Sequence, residues 1–264
     1  MIPLASRRYV AVNWIGLATL YGKEVRRFWA VATQTVLAPL VTGLLFLAIF
    51  VLALGHRIDT VDGQSYVDFL VPGLIMMTIA QNAFANTSSS LMIAKVQGNI
   101  VDLLMPPLSA AELTVGVAGG GVTRGMVVGV TTGLAMFAFV RFGIAHPLFV
   151  LFHAFAASLL MALLGILAGI WAEKFDHMAA ITNFIVTPLS FLSGTFYSTT
   201  RLPPLWQHIA HLNPFFYMID GFRYGFIDRA DAEPMIGVLV MLAIDAVLLL
   251  AVHAWFRRGY RLKA

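Results

Sequence analysis

Six long apolar runs constrain this chain more than any other feature. They cover residues 29–54, 69–94, 113–140, 148–172, 178–196 and 235–255, and only two charged side chains, Arg124 and Asp245, lie within them. Each reaches the roughly 20 residues needed to cross the hydrocarbon of a bilayer, several with surplus for tilt. Composition agrees. A soluble domain carries about one quarter charged residues, whereas this chain has 11% charged against 59% hydrophobic and a mean hydropathy of +0.85. Without cysteine, disulfides and thiolate metal or redox sites are excluded. The net charge of +4 comes from basic residues at the ends of the runs, so it sets orientation in a membrane and does not point to nucleic acid. The first long run begins near Trp29, with no short apolar core and cleavage site before it, so a cleaved leader is not expected.

The difficult segment is 196–219, FYSTTRLPPLWQHIAHLNPFFYMI. It is almost apolar enough to be a seventh crossing, yet it holds three prolines, two histidines, Arg201 and Asn213. Charge decides the matter. With a cytoplasmic N-terminus and six crossings, Arg7, Arg8, Lys23, Arg26, Arg27, Lys95, Lys174, Arg257, Arg258, Arg261 and Lys263 fall on the cytoplasmic side, eleven of the 17 basic residues. Outside are Arg57, Arg141, Arg201, Arg223 and Arg229. A seventh crossing would put the tail RRGYRLK outside, against the positive-inside rule. The segment therefore returns to its own side. Pro203 and Pro204 open one short helix, and the Asn213–Pro214 cap pair opens a second, making a re-entrant hairpin packed on the spans.

Two cytoplasmic elements stand out. Before the first run, Val10, Trp14, Leu17, Tyr21, Val25 and Phe28 recur at helical spacing with basic residues opposite, which predicts an amphipathic helix in the membrane surface. Between runs two and three, AKVQGNIVDLLMPPLSAAEL predicts a short helix with Ile100, Leu103 and Leu104 on one apolar face. Pro106 and Pro107 end it, and Ser109 with Glu112 forms a capping box for the third span. Nothing in the chain is expected to cover that apolar face, which points to a partner protein.

Several candidate sites weigh less. Asn82, Asn86 and Ser90, with Gln81 beside them, give span two a polar face that either lines a path or holds helices together. Asp245 is the one acidic residue deep in a span, a coupling or substrate-contacting group or a structural partner for Arg124. His208 and His211, three apart, with Asp220 and Asp228 nearby, resemble a partial metal site but lack a clear third ligand. GVAGGGVTRG, residues 116–125, has nucleotide-loop glycines but follows no strand, so close helix packing accounts for it better. His153 and His253 read as packed, hydrogen-bonded residues. Glu173 and Asp176 lie in a charged cytoplasmic loop with Lys174 and His177. No P-loop is present, since Gly22-Lys23 is followed by Glu24 and lacks the upstream glycine.

In order, VPGLIMM at 71–77, KVQGNIVDLLMPP at 95–107 and the run from TPLSFLSG to DGFRYG at 187–225 resemble the type-2 ABC transporter permeases, the exporter-type membrane subunits. LeuSerGly at 192–194 also resembles the start of an ABC signature, but its outer position makes that coincidence. The resemblance implies an all-α polytopic membrane protein with six transmembrane helices, one permease domain over 1–264. Within it are an N-terminal interfacial helix (1–28), a cytoplasmic coupling-helix loop (95–109) and an outer-side re-entrant hairpin and loop (197–233). It further implies two permease copies in a bacterial inner membrane, both termini cytoplasmic. Two separate ATPase subunits would bind the ATP and Mg, so no cofactor and no metal belong to this chain. Coupling to the ATPase falls to Asn99, Ile100, Asp102, Leu103, Leu104, Glu173 and Asp176. The substrate path falls to Gln81, Asn82, Asn86, Ser90 and Asp245, and the outer cap to Trp206, Asn213, Phe216, Tyr217 and Arg223. Membrane lipid surrounds the assembly, and lipids, lipid-linked glycans and amphipathic drugs are the substrates implied. The competing functions are an ion-gradient carrier coupled through Asp245 and a membrane enzyme built on His208, His211 and Asp220.

Overall fold

The computed structural model describes residues 12–54, 60–61 and 64–261. Arg7, Arg8, Val10, Arg57 and Lys263, used above for orientation and for the amphipathic stripe, lie outside them. Helix α1 (Trp14–Trp29) leads into a π-turn (Thr33–Leu37) and α2 (Ala38–Leu54). A two-residue antiparallel ribbon pairs β1 (Thr60–Val61) with β2 (Gln64–Ser65). Helices α3 (Tyr66–Val96), α4 (Ile100–Leu104), α5 (Ala110–Phe139) and α6 (Pro147–Trp171) follow. Next, α7 (Phe175–Ile181), a π-turn (Thr182–Val186) and α8 (Thr187–Leu192) run on as one helix. The chain ends with α9 (Pro204–His211), α10 (Pro214–Ile227) and α11 (Pro234–Arg258).

Five of these helical segments are long and apolar enough to cross a membrane: 33–52, α3, α5, α6 and α11. The expected fifth crossing is the run through α7 and α8. At 1.5 Å per residue, it spans about 27 Å, close to the roughly 30 Å of hydrocarbon. Its centre carries Asn183, Thr187 and Pro188, which lower its apolarity. The chain is thus an α-helical, multi-pass membrane protein.

Helix α3 is the axis of the bundle, packed chiefly against α6 and α5. It is sheathed on nearly every side, which is why a membrane helix can carry Asn82, Asn86 and Ser90 buried within it. One apolar core joins α3, α6 and α10, with Leu70, Leu74, Met76, Leu160 and Phe222. A second lies at the end of the bundle that holds α4, where Leu20, Leu91, Ile100, Leu103, Val117 and Phe256 meet.

The glycines of α5 set its spacing to neighbours. A Cβ on Gly120 would lie 2.4 Å from Glu24 Cβ, and one on Gly121 2.7 Å from Ala162 Cβ. The glycine string is therefore a packing surface for α1 and α6. In the VPG motif, a Cβ on Gly73 would meet the Thr195 carbonyl at 2.6 Å, so the turn after α8 rests directly on α3.

Candidate functional site

The end of the bundle that holds α1 and α4, read above as cytoplasmic, carries dense polar chemistry. Helix α1 packs through Leu20, Glu24 and Phe28, all buried, while Trp14 and Tyr21 stay exposed. The expected stripe is thus rotated, because a carboxylate sits on the packed face. Ser90 donates to Glu24 Oε1 at 2.8 Å. Arg27 lies 3.3 Å from Glu24 Oε2 and donates to Asn86 Oδ1 at 2.9 Å and Ser89 Oγ at 3.1 Å. Lys23 approaches Glu24 at 3.5 Å from the exposed side. The polar face of α3 is therefore the socket for α1, with its asparagine and serine satisfying a buried ion pair. Sequence reasoning named Asn86 and Ser90 but missed Glu24. The signal was present: an acid between Lys23 and Arg27 in an otherwise basic helix, opposite a glycine string.

Helix α4 sits on the same junction and corrects the expectation of an uncovered apolar face. Ile100 and Leu103 are buried in the chain's own cytoplasmic core, whereas Val101, Asp102, Leu104 and Met105 are exposed. Residues at i and i+3 share the inner side, and i+1 and i+4 share the outer one. Asn99 caps α4 by position, without a side-chain cap bond. The Ser109–Glu112 capping box forms as expected, and Glu112 also accepts from the backbone N–H of Asn13, tying the start of α1 to α5. A cavity of about 600 Å³ separates α1 from α4, lined by Thr19, Lys23, Ile93, Asn99 and Asp102 among others.

Beside it, Lys95 at the end of α3 donates to the Ile170 and Ala172 carbonyls at 2.8 and 2.5 Å. Arg261 donates to the Trp171 carbonyl at 3.1 Å and lies 3.7 Å from Glu173. Two cations thus satisfy the free carbonyls at the C-terminus of α6. Glu173 and Asp176 are exposed on this side.

Within the spans, Arg124 donates to Asn82 Oδ1 at 2.9 Å, so the suggested pairing with Asp245 is replaced by an amide contact. Asp245 is buried, and its Oδ1 has no hydrogen-bond partner among the described residues. Gln81 is half-buried on the open side of α3. His153 is buried and bonded through Nδ1 to the Phe149 carbonyl at 2.9 Å.

At the opposite end, two short helices, α9 and α10, start at Pro204 and Pro214, and the side chain of Asn213 between them accepts from the Phe215 N–H and donates to Ser193 Oγ at 2.8 Å. Its two arms differ. Helix α9 and its C-cap expose Leu205, Trp206, Ile209 and Leu212, while α10 buries Phe216, Asp220 and Arg223 and half-buries Tyr217. Arg223 is a strut inside the fold. It lies over the Phe69 ring at 3.8 Å and donates to the Phe69 and Gly194 carbonyls. Asp220 accepts from the N–H groups of Asp231 and Ala232 at 2.8 and 3.0 Å. Burial pushes its carboxyl up to about 6, against the pull of those bonds and of Arg223. Asp231 in turn accepts from Ser198 and Thr199.

The histidines do not converge. His208 bonds the Pro204 carbonyl at 2.7 Å, His211 packs on Phe216, and Asp228 pairs with His146 at 2.6 Å. No group of three His, Asp or Glu side chains able to hold a metal occurs among the described residues.

Comparison with known proteins places this architecture. A family model described as ABC-2 type transporter matches residues 16–227. The inner membrane transport permease YadH of Escherichia coli K12 is 42% identical over 240 residues, covering 89% of this chain and 93% of its own. Nodulation protein J of Sinorhizobium fredii NGR234 is 27% identical, covering 95% of both chains. The same-named protein of Rhizobium leguminosarum is 25% identical, covering 94% of this chain and 95% of its own.

Proposed function

The chain belongs to the ABC-2 type transporter family, and from that premise we propose that it is the permease subunit of an ATP-driven exporter in the bacterial inner membrane. In this reading it carries a lipid, a lipid-linked glycan or another amphipathic compound outward, as two copies coupled to two separate ATPase chains. The run through α7 and α8 supplies the sixth crossing, both termini are cytoplasmic, and α9 with α10 forms the outer re-entrant hairpin. The path runs past Gln81 on the open side of α3 and past Asp245. Asn82, Asn86 and Ser90 hold its wall.

The observation that carries the reading is the split of α4. Ile100 and Leu103 anchor it in the core while Val101, Leu104 and Met105 stay exposed. A helix anchored in this way, with apolar side chains still exposed, can pass a push from a docked subunit into α3, against which it packs. Asn99, Asp102, Glu173 and Asp176 edge the same docking face. One acid in a span, Asp245, gives an ion-gradient carrier too little to work with.

The test replaces Leu104 and Met105 together with serine. Each apolar side chain buried against a partner contributes roughly 1.5–3 kcal/mol, so the pair weakens docking more than about tenfold. Wild-type protein purified from its own membrane should bring an ATP-hydrolysing chain with it, and the double variant should lose that activity while staying monodisperse. Equal hydrolysis in the variant, or none with the wild type, refutes the reading.

A further inference from the structure

Away from the junction, a groove of about 470 Å³ opens on the outside of the bundle between α5 and α6. Its walls are almost wholly apolar, and Val130, Leu134 and Leu151 at its mouth are exposed. Its floor is Ile75 and Ile79 of α3, and Phe142, Phe222 and Phe226 close the end near the α5–α6 loop.

Two glycines shape it, for different reasons. A Cβ on Gly129 would meet Ile79 at 2.4 Å, so that glycine is required by packing. A Cβ on Gly133, one turn later, would meet only Ile75 Cδ1 at an ordinary 3.5 Å. Glycine weakens a helix relative to alanine, and among the described residues none packs closely enough on position 133 to need it. The space it leaves is the groove. At the closed end, Arg141 lies over the Phe137 ring at 4.9 Å, and Phe137 lines the groove. Arg141 is exposed and has no carboxylate partner among the described residues. The nearby Asp228 is engaged by His146.

We propose that this groove is a binding site for one acyl chain of an anionic phospholipid, with the phosphate held at Arg141. The groove faces hydrocarbon, so an apolar chain is what the membrane offers it. Arg141 follows shortly after Phe139, the last residue of α5, where a span of this length leaves the hydrocarbon, giving charge complementarity at one end only. Such a lipid would fill the seam between α5, α6 and α10 and brace the outer end of the bundle. The inference needs only the membrane location, not the transport reading.

The test reconstitutes the purified protein in nanodiscs with a photoactivatable phosphatidylglycerol bearing its diazirine near the chain end, and maps adducts by mass spectrometry. Adducts are expected on residues 130–137 and 144–154, above the level on the open lipid face of α11. Gly133→Leu, whose Cβ would meet nothing nearer than Ile75 Cδ1 at 3.5 Å, fills the groove and should bring those adducts to background, with α11 labelling unchanged. Gly133→Ala, the smaller change, should lower them part way. Arg141→Gln should reduce phosphatidylglycerol adducts roughly fivefold, the worth of one basic side chain at a charged membrane surface, while leaving adducts from the matching phosphatidylethanolamine probe unchanged. Labelling equal to that of α11 and unmoved by Gly133→Leu would identify ordinary boundary lipid and overturn the proposal. So would absent labelling with Gly133→Cys forming a disulfide to a second copy, since a protein would then cover the groove.

Discussion

The buried ion pair at the cytoplasmic junction can be weighed directly. Glu24 Oε2 and Arg27 Nη2 are 3.3 Å apart, and the carboxylate is fully enclosed while 26% of the Arg27 side chain remains accessible. Two unit charges at that distance attract by roughly 5 kcal/mol at an effective dielectric of about 20. Removing both from water offsets most of this, so the pair contributes little net stability. Breaking it is another matter, because one charge is then left uncompensated. Glu24→Met should cost about 3 kcal/mol, the low end of the range for buried pairs, since Arg27 is partly solvated and keeps Asn86 and Ser89. Glu24→Gln keeps an acceptor for Ser90 and should cost less. Glu24→Met with Arg27→Met should return to within about 1–2 kcal/mol of the wild type, since apolar replacement of a whole pair is often neutral. The assay is equilibrium unfolding by SDS titration in bicelles. A Glu24→Met cost under about 0.5 kcal/mol, the level of an ordinary surface change, would refute the argument.

Four further outcomes follow from the geometry. Leu103→Ala should destabilise by roughly 2–5 kcal/mol as a buried cavity mutation, read by the same titration, while Leu104→Ala stays within about 0.5 kcal/mol. Gly221→Ala would place a methyl 2.0 Å from His153 Nε2 and should cost roughly 1–3 kcal/mol, with His153→Ala restoring most of it. Asp220, raised to about 6 by burial, holds its proton more tightly folded than unfolded. Its contribution therefore becomes more favourable as pH falls from above 6 toward the ordinary carboxylate range, and is lost again as pH rises. The melting difference between wild type and Asp220→Asn, followed from pH 7.5 to 4.5, should carry that slope. Cysteines placed at Thr200, Leu212 and Glu233, all exposed in a chain with none of its own, should all label from outside intact cells. Labelling of one from the cytoplasmic side would overturn the hairpin.

Where a signal is local, the sequence carries it. The Ser109–Glu112 box, the Asn213 cap and the prolines at 203 and 204 each act within one helical turn and appear where their spacing puts them. The long runs likewise mark their helices to within a few residues. What the sequence withholds is the identity of what lies opposite. Periodicity puts Ile100 and Leu103 on one face of α4 but says nothing of Leu91, Val117 and Phe256, which belong to the same buried core. The polar face of α3 is visible, yet its occupant, Glu24, is 62 to 66 residues away along the chain and meets it only through tertiary packing. Arg124 and Asp245 invite pairing as the two charges within the spans. Asn82 on the axis helix stands closer to Arg124 and takes the contact.

Each of the two π-turns, 33–37 and 182–186, is a helix carrying one residue more than its neighbours need. That surplus swings everything beyond it by about 100°, one residue's share of an α-helical turn. The cost of losing a residue is therefore very unequal across this molecule. In α3 or α6 a deletion would turn a fully packed surface off its register. At a π-turn it would instead restore a plain α-helix and rotate Leu189 and Ser190 out of the core, or leave them and rotate α7. Chain length in this fold is most free to drift by single residues in the first crossing and in the α7–α8 run, and with it the side chains those two helices turn toward their surroundings.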